Sequence, residues 1–197
     1  MSFVLLIFIK NPRLGQVKTR LARTVGDAEA LRIYRILLEK TRQAALDVKV
    51  GRWLFYSDFA ETGDAWAEAD FTKFVQQGAD LGKRMERAFQ QAFEAGASRV
   101  VIIGSDCPEI SGNLLEQAFA ALEHTDFVLG PSFDGGYYLL GMRAFSPWVF
   151  QGIAWSTDSV FSTTVEKIQA AGKSFSLLPV LRDVDTAADW EAVEAVS

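Results

Sequence analysis

Apolar positions along this chain come in two patterns. Short continuous runs, β-branched or aromatic, occur at residues 3–9 (Phe-Val-Leu-Leu-Ile-Phe-Ile), 52–56, 71–75, 99–103, 127–129, 137–142 and 175–180. Continuous rather than alternating runs predict strands buried on both faces, as in a parallel sheet. Between them the spacing changes to the helical period: at 27–46 with Leu31, Tyr34, Leu38 and Ala45 on one side, at 82–95 with Met85, Phe89, Ala92 and Phe93, and again at 111–123, 158–171 and 186–196. Asp27 and Thr186 are expected to cap their helices, and Gly96 to stand just past the end of another. Strands alternating with helices predict a layered α/β fold with a mainly parallel sheet. No repeat, low-complexity tract or linker divides residues 1–197, so one domain is expected. In such folds ligands bind beyond the carboxyl ends of the strands, which directs attention to the loops that follow them.

Composition narrows the chemistry. A chain of 197 residues, 49% of them hydrophobic, has ample core, since a domain of this size hides roughly 70% of its unfolded surface without staples. One cysteine, Cys107, and one histidine, His124, exclude disulfide frameworks, zinc ribbons, zincins and c-type haem attachment. The net charge of -5 is unevenly spread: residues 1–42 carry nine Lys or Arg against three acids, a local +6, and the remainder carries -11. Arg32, Arg35, Lys40 and Arg42 read as a solvated helix face, whereas the cations between Lys10 and Arg23 lie between elements and suit one compact anion. No aromatic platform is interleaved with them, so a nucleic-acid partner is not expected. The apolar run at 3–9 is far shorter than the roughly 20 residues of a spanning helix and lacks secretory-signal flanks. A cytoplasmic protein with no membrane partner is the expectation.

Five loops could carry chemistry. The first, Lys10-Asn-Pro-Arg-Leu-Gly15-Gln-Val-Lys18-Thr19-Arg20-Leu, follows a strand and leads into a helix, as phosphate cradles do, but its lone glycine excludes a Walker A loop. The second, residues 76–85, has glycines on either side of Asp80, which equally well caps the next helix. The third, Gly104-Ser-Asp106-Cys-Pro, puts a carboxylate at a buried strand tip, where a cation must face it. Cys107 beside it has no base in reach, and is expected to pack as a small hydrophobe. The fourth, 130–138, holds Asp134-Gly135-Gly136, either a hairpin turn or a polar contact for a second substrate. The fifth, 182–190, places Asp183 and Asp185 before a helix; Trp155-Ser156-Thr-Asp158 either lines a pocket or starts one.

Taken in order, Lys10 to Leu21 with its Lys-Thr-Arg-Leu ending, Gln77 to Met85, Gly104 to Pro108, Gly130 to Tyr138 and Asp183-Val-Asp-Thr resemble the nucleotide-diphospho-sugar transferase (GT-A) superfamily. Within it the chain is similar to the small radical-SAM/selenodomain-associated glycosyltransferase-like proteins, and more distantly to phospholactate and molybdenum-cofactor guanylyltransferases. The resemblance implies a three-layer Rossmann-like fold with a mainly parallel mixed sheet. It implies a nucleotide site in which Lys18 and Arg20 hold phosphates, with Lys10, Gly15 and Thr19 in the same loop, and in which Gln77, Asp80, Leu81, Gly82 and Arg84 lie near the base. Asp106 stands where the superfamily often has Asp-x-Asp, here without its second carboxylate. Asp185 is the implied second ligand for Mg2+ or Mn2+, with Asp183 the alternative. Lys18, Asp106 and Asp134 are the implied catalytic residues. Asp134 would position or deprotonate the acceptor, and Gly135, Gly136, Tyr137, Trp155 and Ser156 would surround it. The expected activity is metal-dependent transfer from a nucleotide sugar to a small-molecule acceptor; the alternatives are nucleotidyl transfer from an NTP, and nucleotide binding without turnover.

Overall fold

The computed structural model describes residues 2–195. In chain order it contains β1 (Ser2–Ile9), α1 (Thr19–Val25), α2 (Asp27–Leu46), β2 (Gly51–Tyr56), β3 (Thr72–Val75), α3 (Leu81–Glu94), β4 (Ala97–Ile103), α4 (Gly112–Ala121), β5 (Phe127–Pro131), β6 (Tyr137–Met142), a 3-10 turn (Pro147–Phe150), α5 (Val160–Ala170), β7 (Phe175–Leu177) and α6 (Ala187–Glu194). The strands form one seven-stranded sheet in the order β3-β2-β1-β4-β6-β5-β7. Every pairing is parallel except those of β6, which runs antiparallel to β4 and β5.

The continuous apolar runs have the expected cause. Along β1, Leu5, Ile7 and Ile9 pack on one side with α2 and α4, while Val4, Leu6 and Phe8 pack on the other with α3 and α5. A strand covered on both faces has no polar position to spend. The result is a three-layer α/β domain. A third cluster, Leu21, Ala30, Ile33, Leu37, Val184 and Trp190, ties α1 and α2 to α6 at one end of the molecule.

Local chemistry revises three expectations. Asp27 is the first residue of α2 rather than its cap; Gly26 holds the cap position without a side-chain bond, and the acids Asp27 and Glu29 instead face the positive end of the helix dipole. Residues 19–25 form a separate helix, α1, which the sequence pattern merges into the preceding loop; seven residues are too few to display a period. The strand expected over 175–180 stops at Leu177, although Leu178 and Leu181 still donate to β5 carbonyls on either side of Pro179, which has no N–H to give. The predicted end of the last helix at Val196 lies outside the described residues. Thr186 does cap α6, in a reciprocal box with Asp189. No helix among the described residues is long and apolar enough to cross a membrane.

Candidate functional site

The order of strands reverses direction between β1 and β4, which lie side by side. A crevice opens at such a point beyond the carboxyl ends of the two strands. The loop after β1 supplies Lys18 to it, and the loop after β4 supplies Asp106.

Both loops are held by buried polar side chains. The Tyr34 hydroxyl, on α2, accepts from Lys10 N (2.8 Å), donates to Lys10 O (3.1 Å) and meets Ser105 Oγ (3.2 Å), stapling the two strand ends together. Asn11 is buried; its Oδ1 accepts from Asp58 N and its Nδ2 donates to Phe59 O, fastening the first loop to the segment after β2. Lys18 adopts a left-handed conformation, φ 48° and ψ 44°, at the start of α1. That conformation is unfavourable for a side-chain-bearing residue and is characteristic of functional sites.

Lys18 Nζ lies 2.6 Å from Asp106 Oδ1 and 3.6 Å from Asp185 Oδ1, with 4% of its side chain exposed. Arg20, largely in solvent, approaches the other oxygen of Asp185 at 3.6 Å. The Lys18 ammonium makes close ionic contact but no hydrogen bond of normal geometry, so it keeps donors for another anion. The 182–186 segment is pinned beneath it: Val184, fully buried, donates its N–H to Asp106 O at 2.9 Å. Asp183 and Asp185 therefore face different groups. Asp185 faces Lys18 and Arg20. Asp183 lies by Ser132, and burial, reinforced by the charges of Asp106 and Asp134 and only partly relieved by Lys18, pushes its carboxyl up to about 7. Carboxylates thus crowd one buried cation, Asp106 and Asp185 in ionic contact with it and Asp183 behind them. Among the described residues no set of three His, Cys, Asp or Glu converges as a closed metal cage.

Elsewhere the structure sorts the expected residues. Gly15 stays in the first loop, Thr19 is the first residue of α1 directly after Lys18, and Lys10 is exposed. Asp80 caps α3, accepting from Lys83 N, and Arg84 Nε donates to Gly78 O, closing the turn over which Gln77 and Leu81 stand exposed. Gly82 packs against the indole of Trp155. Asp134 accepts from Ser132 Oγ (2.5 Å) and Gly136 N (2.9 Å) within the β5–β6 hairpin turn, so the turn reading is right for one of its oxygens. Tyr137 is directed to the core, where its hydroxyl meets Thr164; it does not stand free beside Asp134. Ser156 is exposed with φ +66°. Cys107 is buried, and its thiol is pushed up to about 12 by that burial, consistent with a packing role.

Three residues escape a reading of the sequence. Tyr34 fits an apolar helix stripe, Asn11 a loop filler before Pro12, and Gln76 the lesser of two glutamines. It is Gln76, not exposed Gln77, whose amide bridges Ile9 O and Phe55 O, both at 3.0 Å. An amide or hydroxyl directly at the end of an apolar run is the available signal, because strand ends leave carbonyls to satisfy.

This architecture is that of the Rossmann-like nucleotide-sugar-transferase folds, and Lys18 and Asp106 meet beyond its neighbouring strands β1 and β4. The chain belongs to the family described as uncharacterized protein conserved in bacteria (DUF2064), whose model matches residues 40–157. It is 38% identical to a protein of known structure from Desulfovibrio desulfuricans G20, provisionally described as a nucleotide-diphospho-sugar transferase; the match covers 98% of this chain and 87% of that one, with a TM-score of 0.89. The fold recurs in CMP:2-keto-3-deoxy-manno-octonic acid synthetase complexed with CTP (12% identity, 100% and 98% covered, TM-score 0.60). It recurs also in Rv0371C from Mycobacterium tuberculosis H37Rv in complex with manganese (16% identity, 100% of both chains, TM-score 0.53). No curated protein matches the chain.

Proposed function

We propose that this protein is a metal-dependent transferase that uses an activated nucleotide, with a nucleotide sugar as donor. The observation that carries the reading is the buried Lys18 ammonium at the crevice between β1 and β4, in contact with Asp106 and beside Asp185. A cation buried at that position and still holding free donors suits a diphosphate. The 38% identical relative described as a nucleotide-diphospho-sugar transferase supports the donor class.

Asp106 and Asp185 fit a divalent ion in their donor chemistry: both are carboxylates, both about half exposed, and both turned to one point. Mg2+ and Mn2+ take oxygen ligands, and Mg2+ is commonly held by one or two carboxylates plus substrate phosphates rather than by a protein cage. The manganese complex of a protein with the same fold agrees with this choice. Such an ion, when bound, supplies charge neutralisation at the diphosphate. The protein's own part is positional and electrostatic. Lys18 donates to a phosphate oxygen from a water-poor pocket, and Arg20 adds a second, solvent-facing cation, so negative charge growing on the leaving nucleoside diphosphate is stabilised without reorganisation. An acceptor hydroxyl oxygen forms its bond to the sugar carbon as the bond to the diphosphate oxygen breaks, and its proton passes to Asp134 or its neighbour Asp183.

The same clamp serves nucleotidyl transfer, in which the acceptor attacks the α-phosphate of an NTP and pyrophosphate leaves; the fold shared with a CTP complex favours keeping this second reading. Incubating the protein with NTPs and with nucleotide sugars, each with Mn2+ or Mg2+, separates them. Release of nucleoside diphosphate from a nucleotide sugar is expected. Pyrophosphate release transfers the assignment to the second reading, and metal-independent nucleotide binding without turnover overturns both.

A further inference from the structure

Between the 3-10 turn and α5 the chain runs as an irregular segment, residues 151–159, that packs against the start of α3 and the Asp134–Gly136 turn. At one end it meets Gly82, the second residue of α3: a Cβ at that position would fall inside the Trp155 indole, on Nε1, Cε2 and Cζ2. At the other it meets Gly135: a Cβ there would overlap the Asp158 carbonyl and Cα, and Phe161 N donates to Gly135 O at 2.9 Å. Between these contacts Ser156 holds φ +66° without being glycine, and Thr157 Oγ1 closes the bend onto Ala154 O (2.7 Å) and Ser159 Oγ (2.8 Å). A left-handed serine is strained and persists only where its surroundings over-determine it. Here they do so by wedging a tryptophan against a helix start.

The turn that Trp155 braces is narrow for a second reason. Gly78 has φ +152°, and a Cβ on it would approach Arg84 N to 2.7 Å, so the chain from 78 to 84 is folded tightly on itself with no slack to absorb a displaced Gly82. Resting on the nucleotide-binding role that the sequence resemblance implies for that turn, we propose that Trp155 is a positioning residue for the nucleotide rather than a wall of the acceptor pocket. It acts through Gly82, setting the height of the α3 start. Through Asp158 and Gly135 the same segment ties that start to the Asp134 loop, so that the nucleotide and acceptor loops move as one piece.

The test measures dissociation constants for ATP, GTP, CTP, UTP, UDP-glucose and GDP-mannose with Mn2+ by calorimetry, on wild type, Trp155→Ala, Trp155→Phe, Gly82→Ala and the Gly82→Ala/Trp155→Ala double variant, alongside ligand-free melting temperatures. Trp155→Ala and Gly82→Ala are each expected to weaken the best-bound nucleotide about ten-fold, in keeping with the cost of small misplacements, and Trp155→Phe to restore it. The double variant is expected to bind no worse than either single one, because the added methyl then has room. Wild-type affinity in Gly82→Ala or Trp155→Ala, or additive losses in the double variant, overturns the inference while leaving the transferase reading intact. A wild-type protein that binds none of the six nucleotides removes that reading, and this inference with it. Should Trp155→Ala not fold, Gly82→Ala and Trp155→Phe decide the matter.

Discussion

Lys18 Nζ lies 2.6 Å from Asp106 Oδ1, yet only 4% of the lysine side chain is exposed against 48% of the aspartate's. The two ends of this ion pair therefore differ in what they lose when separated. Without Lys18, Asp106 and Asp185 rehydrate where they stand, so Lys18→Met is expected to change stability by no more than about 1 kcal/mol. Without Asp106, a buried ammonium is left with Asp185 at 3.6 Å as its nearest anion, and Asp106→Ala is expected to cost about 2–4 kcal/mol. Both variants should lose nucleotide transfer by about 10²-fold or more. Urea denaturation at fixed pH checks the first pair of numbers; a Lys18 variant less stable than the Asp106 variant would show that the pair is not held as described.

How much of this is legible in the sequence depends on what each residue answers to. The sheet is readable because strands such as β1, buried on both faces, admit no polar residue, and residues 3–9 have none. Asp106 is readable as a charge just beyond the tip of such a strand, and Lys18 as a cation in the loop that leads from another into a helix. The split between Asp183 and Asp185 is not, because it depends on Val184 being drawn into the core and bonded to Asp106 O, which fixes which neighbour faces which side. Nor is Tyr34: at helical spacing an aromatic residue reads as core, and only the folded chain reveals that its hydroxyl reaches two strand ends. The pattern reports burial well and says little about where a buried side chain's polar tip goes.

Asp183 gives a pH dependence with a definite sign. Its carboxyl, ordinarily at 3.8, is raised to about 7 by burial and by Asp106 and Asp134. The folded state then holds this proton more tightly than the unfolded state does, so the group's contribution to stability is greatest at low pH. It declines as pH rises from about 4 to about 7 and is constant above that. Asp183→Asn abolishes the titration. In nucleotide-free protein the variant should match wild type near pH 4 and exceed it above pH 7 by a few kcal/mol, since each tenfold change in proton affinity is worth roughly 1.4 kcal/mol. Paired melts across pH 4–8 test this, and a difference that does not change with pH would rule it out.

Cys107 tests the exclusion of thiol chemistry. The side chain is buried and its thiol is pushed up to about 12, so almost no thiolate exists near neutrality. Native protein should resist iodoacetamide and Ellman's reagent, reacting only at the rate of unfolding. Cys107→Ala should retain full turnover at a stability cost of about 1 kcal/mol. Rapid labelling of the folded protein, or loss of activity in the alanine variant with its fold intact, would make the cysteine a candidate catalyst again.

Asn11 should matter more than any charged residue of its own loop for stability. It is buried, its Oδ1 accepts from Asp58 N at 3.1 Å, and its Nδ2 donates to Phe59 O at 3.0 Å and Glu61 Oε1 at 3.2 Å. An alanine here takes the side-chain partner from the Asp58 N–H and the Phe59 carbonyl, which lie in an exposed segment, at about 0.5–1.5 kcal/mol for each lost bond. Asn11→Asp is the sharper probe. It keeps the acceptor but replaces the donating amide with a carboxylate oxygen facing a carbonyl and Glu61, so it should be at least as destabilising as Asn11→Ala at neutral pH and should recover as the new carboxylate is protonated below about pH 5. Arg13, stacked on Phe59 with its guanidinium carbon 4.5 Å from the ring centre, rides on the same segment, so amide exchange should accelerate together in residues 10–18 and 57–61 of either variant. Exchange that rises in one segment alone would mean that Asn11 does not join them.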